Sequence, residues 1–376
     1  MKIIQQVRQV GHCLPPAVVG EAQLALVFST TAMLREECTW EELRATFPHA
    51  RIVACSTAGE IAGTTVYDDS IVCTGIRFEH SRVEVATVHL DEAPDSQALG
   101  ALLGSRLPRT DLAHVFVLSE GLNVNGSSLV AGLVAQLPAS VAVTGGLSAD
   151  GSNFQCTAVC VDGPHPSRQV VAIGFYGSRL QIGYGCLGGW DSFGPERRIT
   201  RAEGNVLYEL DGEPALDLYK RYLGEHAANL PASGLLFPLT VRRGYDDEMP
   251  VVRTILSVDE NTRSLTFAGD VPHGYRARLM RANFERLVDG ASEAAKVTQQ
   301  WISASTPELA ILVSCVGRKL VLKQRIEEEV EAVRDVLGND TVLTGFYSYG
   351  EISPFTPSAR CELHNQTMTI TTLSER

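Results

Sequence analysis

The chain lacks the features that place a protein in a membrane or outside the cell. No apolar run approaches the ~20 residues of a membrane-spanning helix. The N-terminal sequence MKIIQQVRQVGHC has no continuous apolar core of a signal peptide. The nine cysteines are odd in number and form no CxxC pair, which is typical of buried thiols in a reducing compartment. We therefore expect a cytoplasmic protein without membrane insertion.

The common catalytic signatures are also missing. The sequence contains no GxxxxGK phosphate loop, no HExxH metal motif and no GxSxG nucleophile elbow. Cys55, followed by Ser56 and Thr57, and Ser314, followed by Cys315, are candidate nucleophiles at strand ends. A nucleophile needs an adjacent base, and no histidine lies near either candidate in the sequence. We predict a protein that is not an enzyme and keep a cysteine- or serine-dependent hydrolase as a third alternative.

Basic residues are too few for a non-specific nucleic-acid binder. The chain has 32 Lys and Arg residues against 44 Asp and Glu residues, which gives a net charge of −12. A nucleic-acid-binding surface would require the opposite balance. The length of 376 residues and a hydrophobic fraction of 44% instead predict a globular protein of more than one domain.

A strand–helix–strand pattern occurs three times along the chain. The first strands are AQLALVFS (22–29), AHVFVLSEG (113–121) and LAILVSC (309–315). Each precedes an amphipathic helix and a second β-prone run that ends in small residues. In the first helix, TWEELRATFP, Thr39 and Glu42 have the spacing of a capping box. Parallel strands joined by helices require sheets that are covered on their faces.

Two longer blocks follow from this pattern. In the first block RVEVATVHL precedes a helix and HVFVLS, and in the second block YRARLMRA precedes a helix and AILVSC. The predicted fold class is therefore α/β, with two related halves of β-α-β-α-β-β units and mixed sheets covered by helices. The boundary between the halves is expected near residues 190–225, where a Gly- and aromatic-rich stretch leads to the helix DGEPALDLYKRYLG.

The strand exits ACSTAGEI and TGFYSYGEI share a small-residue turn and the sequence Gly-Glu-Ile. Small residues let a ligand approach backbone N–H groups, and hydroxyls donate or accept hydrogen bonds. A glutamate binds an ammonium group, and an arginine binds a carboxylate through two parallel hydrogen bonds. The alternative is a pair of tight turns with solvent-facing glutamates. The candidate ligand-binding residues are Ser29, Ser56, Thr57, Gly59, Glu60, Ser119, Thr144, Gly145, Ser314, Arg318, Gly345, Tyr347, Ser348, Gly350 and Glu351.

These exits, together with VSCVGRK and ELHNQTMTIT, resemble the FIST family of intracellular signal-transduction sensors. The resemblance implies an N-terminal module over residues 22–200 and a C-terminal module over residues 201–355. Residues 356–376 would then form a strand that completes the second module. It also implies a module that binds a small-molecule ligand such as an amino acid. Since no kinase or cyclase segment is apparent, we expect the signal to pass by contact with a separate protein.

Some members of this family resemble nitric-oxide-sensing haem proteins that act on a histidine kinase. By this resemblance the favoured ligand is haem b, with a sensor histidine kinase or a cyclic-di-GMP enzyme as partner. His364, on the strand ELHNQTMTIT, is the first candidate for the axial ligand, because a neutral imidazole commonly anchors haem iron. His12 and His273 are the alternates. An amino acid or other small metabolite, bound without haem at the Gly-Glu turns, is the rival prediction.

Overall fold

A computed structural model describes residues 1–12, 14, 21–164, 168–244, 250–301, 306–355 and 360–376. The first unit comprises β1 (Lys2–Gln9), β2 (Leu24–Ser29), α1 (Thr31–Arg35), α2 (Glu37–Thr46), β3 (Arg51–Ser56), β4 (Glu60–Ala62), β5 (Thr65–Tyr67) and β6 (Ser70–Arg77). The second unit comprises β7 (Arg82–His89), α3 (Ser96–Ser105), β8 (Leu112–Ser119), α4 (Gly126–Val134), β9 (Ala142–Leu147), β10 (Val159–Val161) and β11 (Gln169–Tyr176).

The third unit begins with β12 and is interrupted by an inserted domain. The strand β12 is Leu180–Leu187. The inserted domain comprises β13 (Trp190–Ser192), β14 (Arg197–Glu203), β15 (Val206–Leu210), β16 (Glu213–Pro214), α5 (Ala215–Leu223), β17 (Leu239–Arg242), β18 (Val251–Arg253), β19 (Ile255–Asp259), β20 (Ser264–Phe267) and β21 (Arg276–Ala282). The unit resumes with α6 (Phe284–Gln299), β22 (Leu309–Cys315), α7 (Val316–Leu322), α8 (Ile326–Leu337), β23 (Val342–Ser348), β24 (Gly350–Pro354), β25 (Cys361–His364) and β26 (Met368–Glu375).

Each unit builds one sheet in the same way. A parallel pair, β2 with β3, β8 with β9 or β22 with β23, is joined by helices. An antiparallel strand, β6, β11 or β26, returns along the first strand of the pair, and β1, β7 or β12 lies outside it. The predicted α/β class, with mixed sheets covered by helices, is confirmed.

The units complete one another's sheets in a closed ring. The exit strands β4 and β5 of the first unit extend the sheet of the third unit beside β23. The exit strands β24 and β25 of the third unit extend the sheet of the second unit beside β9. The exit strand β10 of the second unit extends the sheet of the first unit beside β3. The two Gly-Glu turns thus connect a unit to its neighbour.

The three sheets enclose one central apolar core, and the helices lie outside them. Phe28 of the first unit stacks on Phe346 of the third, with 4.8 Å between ring centroids. Phe116 of the second unit belongs to the same buried cluster. Hydroxyls also meet across the units: Thr74 contacts Thr344 at 2.9 Å. The outer layers pack α3 and α4 on the second sheet and α6 and α8 on the third.

The inserted domain has a separate core formed by α5 and strands β14 to β21. The sequence segment YRARLMRA forms β21, which pairs with β13, β14 and β17 inside this domain. Its alignment with RVEVATVHL was therefore wrong, because β12 occupies that place in the third sheet. The division at residues 200/201 and 355/356 stays a prediction.

The predicted final strand is two strands in two different sheets. β25 pairs with β24 in the second sheet, whereas β26 lies between β12 and β22 in the third. The chain turns at Gln366, whose φ of +65° is in the left-handed region. Among the described helices, none is long and apolar enough to cross a membrane.

Candidate functional site

The Glu351 carboxylate is enclosed by hydrogen bonds from its own chain. Ser348 Oγ donates to Glu351 Oε1 at 2.7 Å. The backbone N–H and the Oγ1 hydroxyl of Thr367 donate to Oε2 at 3.1 and 3.0 Å. The side chain is fully buried, and this burial raises the pKa of the carboxyl to about 8. The protonated, neutral form is therefore populated at neutral pH.

Glu60 repeats this arrangement in the first unit. Thr57 Oγ1 donates to Glu60 Oε1 at 2.5 Å, and Ser70 Oγ donates to Oε2 at 2.7 Å. Burial raises the pKa of this carboxyl to about 7, and the nearby Lys319 ammonium opposes the rise. Lys319 Nζ donates to the carbonyl oxygen of Ala58 at 2.8 Å. The alternative of solvent-facing glutamates was wrong for both turns, which are buried.

Three of the candidate residues converge on a carboxylate that the motif analysis missed. Ser314 Oγ and Tyr347 OH donate to Glu329 Oε1 at 3.0 and 2.7 Å. Arg318 Nε donates to Glu329 Oε2 at 2.9 Å, and its Nη2 lies 2.8 Å from the same oxygen. Arg318 also donates to the carbonyl oxygen of Leu287 at 2.7 Å. The guanidinium expected to bind a ligand carboxylate thus binds one from its own chain.

The other candidate hydroxyls also have partners inside the fold. Ser29 Oγ donates to the carbonyl of Ser70 at 2.7 Å, and Ser119 Oγ donates to that of Glu120 at 2.9 Å. Ser56 Oγ accepts from the backbone N–H of Ala158 at 2.8 Å. Thr144 Oγ1 lies 2.8 Å from a ring nitrogen of His114 and accepts from Thr371 at 2.7 Å.

The candidate glycines allow close approach of neighbouring backbone. Gly145 has a φ of +144°, and a Cβ there would lie 1.9 Å from the carbonyl oxygen of Val117. A Cβ at Gly345 would lie equally close to the carbonyl oxygen of Leu312, and a Cβ at Gly59 would overlap the Lys319 side chain. All fifteen candidate ligand-binding residues, Gly350 included, are buried. Their role in ligand binding stays a prediction, since a ligand would have to replace these internal contacts.

His364 borders the main cleft. It is 4% exposed, its Nε2 lies 2.9 Å from the carbonyl oxygen of Ser353, and burial lowers the pKa of the imidazole to about 4. The ring is therefore neutral near pH 7. His12 and His273 are exposed and lie in turns. Within the described ranges, no group of three His, Cys, Asp or Glu residues is arranged to hold a metal ion.

The candidate nucleophiles are inaccessible. Cys55 and Cys315 are both fully buried, and this burial raises the pKa of each thiol well above its usual value. A reactive cysteine needs the opposite environment, partly exposed and electropositive. Neither thiol has the properties of a catalytic thiolate.

The main cleft, of about 1690 Å³, lies between the second sheet and the inserted domain. Helix α4 lines one wall with Ser127, Ala131 and Val134, and strand β25 lines another with Cys361–His364. The inserted domain contributes the wall opposite, which contains Arg253 and Tyr275. Clefts at domain junctions are the usual place of small-molecule sites.

Aromatic rings are part of the lining of this cleft. Tyr184 of β12 packs against Trp301, with 4.5 Å between ring centroids, and Trp301 Nε1 donates to the Tyr184 carbonyl. Phe355 lies 5.6 Å from the His364 ring. Trp301 and Phe355 are half-buried, so part of each ring faces the cleft. The cleft thus offers apolar and aromatic surface with a few polar groups, the composition typical of organic-ligand sites.

Two of the missed residues carried a signal in the sequence. Glu329 lies within the apolar stripe of α8, between Ile326 and Val333, and a carboxylate on a core-facing stripe requires a buried partner. Asn365, in the motif ELHNQT, accepts from the backbone N–H of Thr254 and donates to the Tyr349 carbonyl. The cleft residues carried no such signal, because they come from five segments that are distant in the sequence.

Two family models match most of the chain. Residues 23–213 match the FIST N domain, and residues 215–354 match the FIST C domain. An uncharacterized protein of Methanocaldococcus jannaschii is 23% identical over 356 residues, which span 89% of this chain. The chain spans about two thirds (66%) of the length of that relative.

The solved structures that match are much more distant. A cyanuric acid hydrolase from A. caulinodans is 10% identical, covers 79% of this chain and 99% of its own, and gives a TM-score of 0.18. A second cyanuric acid hydrolase structure is 12% identical, covers 79% of this chain and 100% of its own, and gives the same TM-score. These values carry no argument about function.

Proposed function

Because the chain belongs to the FIST family, whose domains are signal-transduction sensor domains, we propose that it binds a small organic molecule in the main cleft. The observation that carries this proposal is the position of the cleft between the second sheet and the inserted domain, with aromatic rings in its lining. The first candidate ligand is an amino acid or other small metabolite, bound without haem. The ligand site thereby moves from the buried Gly-Glu turns to an accessible surface.

A route from the cleft to the Gly-Glu turn supports a sensory role. Strand β25 lines the cleft, and the residues after it are fixed to three parts of the fold. Asn365 joins Thr254 of the inserted domain to the carbonyl of Tyr349. Gln366 donates to the carbonyl of Leu235, and Thr367 donates to Glu351. A ligand that moves β25 therefore acts on both the inserted domain and the third unit.

Haem b is the second candidate, favoured by the neutral imidazole of His364 in the cleft wall. The residues fit this group in part: Tyr184, Trp301 and Phe355 offer an aromatic lining, and His364 offers a ligand nitrogen. The His364 Nε2 already contacts the Ser353 carbonyl, which leaves Nδ1 for the metal. When bound, haem would supply an iron centre that takes up nitric oxide. The aromatic residues of the cleft would contact the haem ring and exclude water from it.

Blocking the cleft tests the site. Ala131 is an exposed residue on the α4 wall, and Ala131→Trp places a bulky side chain in the cleft. Ala45→Trp, at an exposed position of α2 outside the cleft, is the matched control. Thermal stability would be recorded against amino acids and central metabolites. We expect a stabilising compound whose effect persists in Ala45→Trp and disappears in Ala131→Trp. Equal stabilisation of both variants, or no stabilising compound, would contradict a cleft ligand.

Absorption spectroscopy separates the two candidate ligands. Haem titrated into the protein should give a shifted Soret band if the second candidate is right, and His364→Ala alone should abolish the shift. His12→Ala and His273→Ala serve as matched controls, since both residues are exposed. A normal spectrum in His364→Ala removes this residue as ligand. An absent band in the unmodified protein removes haem.

The partner in the proposed relay is a sensor histidine kinase or a cyclic-di-GMP enzyme, contacted by the protein surface. The family assignment supports a relay of this kind. Kinase autophosphorylation would be measured with the protein in its free and ligand-bound forms. We expect the rate of autophosphorylation to change when the ligand is bound. A rate that stays unchanged with each kinase whose gene neighbours the gene of this protein would contradict a kinase partner.

A further inference from the structure

Arg253 is a buried cation whose hydrogen-bond partners are uncharged. It is 5% exposed and lines the main cleft. Its Nε donates to the carbonyl of Asp270 at 2.9 Å, and its Nη1 donates to the carbonyls of Val252 and Leu363 at 3.2 and 3.0 Å. In the described part of the chain, no carboxylate lies within 4 Å of this guanidinium. The carboxylates of Asp270 and Glu362 lie farther away and stabilise its charge only at a distance.

The Nη2 end of Arg253 has spare hydrogen-bonding capacity. An arginine has five N–H donors, two of which belong to Nη2. In the described structure Nη2 has a single acceptor, Ser127 Oγ, at the limiting distance of 3.5 Å. A buried charged group with an unmade hydrogen bond is costly, and the cost disappears when an acceptor arrives from outside. This end of the guanidinium is therefore ready to receive one.

Ser127 places a second donor at the same point. Its Oγ accepts from the backbone N–H of Asp270 at 3.2 Å and from Arg253, so the hydroxyl proton is left without a described acceptor. Ser127 lies in the first turn of α4, which Asn125 caps by accepting from the N–H of Ser128. The start of a helix favours a nearby negative charge. Ser127 also lines the cleft.

We propose that Arg253 Nη2 and Ser127 Oγ form an oxyanion subsite in the main cleft, which takes the carboxylate or phosphate group of the ligand. The inference rests on the proposed function, because it names the chemistry of the cleft ligand. The aromatic pair Tyr184 and Trp301 lines the same cleft and suits a planar group. The ligand class is then a planar organic acid or an organic phosphate, held by its anionic group at this subsite.

Calorimetric titration of the full chain tests the subsite. Benzoate and phenyl phosphate carry the two kinds of oxyanion on a planar ring, and benzamide has the same shape without the charge. The titrations would be made at constant ionic strength with chloride as the balancing anion, since screening weakens exposed charge interactions. We expect at least one anion to bind about tenfold more tightly than benzamide, because hydrogen bonds to charged groups are the strong ones. The stronger of the two anions identifies the carboxylate or the phosphate as the natural group.

Two variants locate the binding. Ser127→Ala removes one hydroxyl, and Arg253→Lys keeps the charge but loses the Nη2 donor. Ser128→Ala, the neighbouring residue on α4, is the matched control. We expect anion binding to weaken about tenfold in each of the two variants, with benzamide binding and the control unchanged. If Arg253→Lys fails to fold, Ser127→Ala alone decides.

Two results would overturn the subsite. Anion binding that is equal in Ser127→Ala and in the unmodified protein removes it, and so does the absence of any preference for the anions over benzamide. Benzamide binding that is lost in Ala131→Trp shows that the cleft is occupied even in that case, so the proposed function stands without the subsite. If no probe responds to Ala131→Trp, the cleft itself is refuted.

Discussion

Glu60 and Glu351 occupy the same position in two repeat units, and each carboxyl accepts a hydrogen bond from a hydroxyl three residues earlier in the chain. Thr57 donates to Glu60, and Ser348 donates to Glu351. A second hydroxyl donates to the other carboxyl oxygen: that of Ser70 to Glu60, and that of Thr367 to Glu351. These hydrogen bonds lie within one unit and fix the start of the exit strands β4 and β24, which pair with a neighbouring unit. The pKa values of the two carboxyls, about 7 and about 8, lie in the range of ordinary buffers.

The first prediction concerns the pH dependence of stability. The pKa of Glu351 is about 8 in the folded chain and about 4.5 in the unfolded chain. The folded state then holds the proton more tightly, so its stabilising contribution is complete below pH 4.5 and is lost as pH rises to 8. The loss is of the order of a few kcal/mol. Glu351→Gln, which stays neutral, should flatten this decline in urea unfolding between pH 5 and pH 9.

Glu60→Gln should flatten the decline of stability with rising pH less than Glu351→Gln does, because the pKa of Glu60 is about 7. Glu331→Gln, an exposed change on α8, is the control and should leave the profile unchanged. A decline of the same slope in Glu351→Gln and in the unmodified protein would refute the role of this carboxyl.

The second prediction concerns the buried pair Arg318 and Glu329. Glu329→Gln leaves the guanidinium charge of Arg318 without a counter-charge in a fully buried site. Removing one partner of a buried ion pair lowers the free energy of unfolding by about 3–5 kcal/mol. Glu328→Gln, which removes an exposed partner of Arg325, should leave the free energy of unfolding nearly unchanged. Equal losses in the two variants, measured by urea unfolding, would contradict the burial of the pair.

The third prediction concerns the cysteines. Cys38 is exposed, whereas Cys55 and Cys315 are buried and have raised thiol pKa values. Under native conditions at pH 7.5, iodoacetamide should modify Cys38 at least about tenfold faster than the other two. Peptide mass spectrometry over time measures this. Labelling of Cys315 at the rate of Cys38 would revive the hydrolase alternative.

The fourth prediction concerns the turn between β25 and β26. The amide of Gln366 packs directly on Gly317, where a Cβ would lie 2.3 Å from Nε2. Gly317→Ala therefore overpacks the turn and should destabilise the protein by about 1–3 kcal/mol. Gly188→Ala is a matched control, since its Cβ would meet Gln366 at an ordinary 3.6 Å. Thermal unfolding with equal midpoints for both variants would show that the turn relaxes freely.

The sequence predicts local elements well and their partners poorly. The helix ending at Gly224 appears in the structure as α5. The capping box at Thr39 and Glu42 does not, because α2 begins at Glu37 and Thr39 accepts from Arg8 instead. A motif four residues long cannot reveal a partner about thirty residues away in the sequence.

The candidate site shows the same limit. The repeated Gly-Glu turns are visible in the sequence, but their burial follows from strands supplied by another unit. A serine or glutamate at a strand end looks accessible until its neighbour in space is known. The cleft joins residues from α4, β12, β25 and the inserted domain, and no local pattern marks such a set.

The exchange of exit strands also dictates when the chain can fold during synthesis. β26, formed by Met368–Glu375, lies between the edge strand β12 and β22 in the third sheet. Until these residues leave the ribosome, β12 and β22 have no common neighbour, and the ring of three sheets stays open. The second sheet likewise waits for β24 and β25. Until these late strands are synthesised, nascent chains of this protein expose unpaired strand edges, and we expect them to depend on ribosome-associated chaperones more than proteins whose sheets close in sequence order.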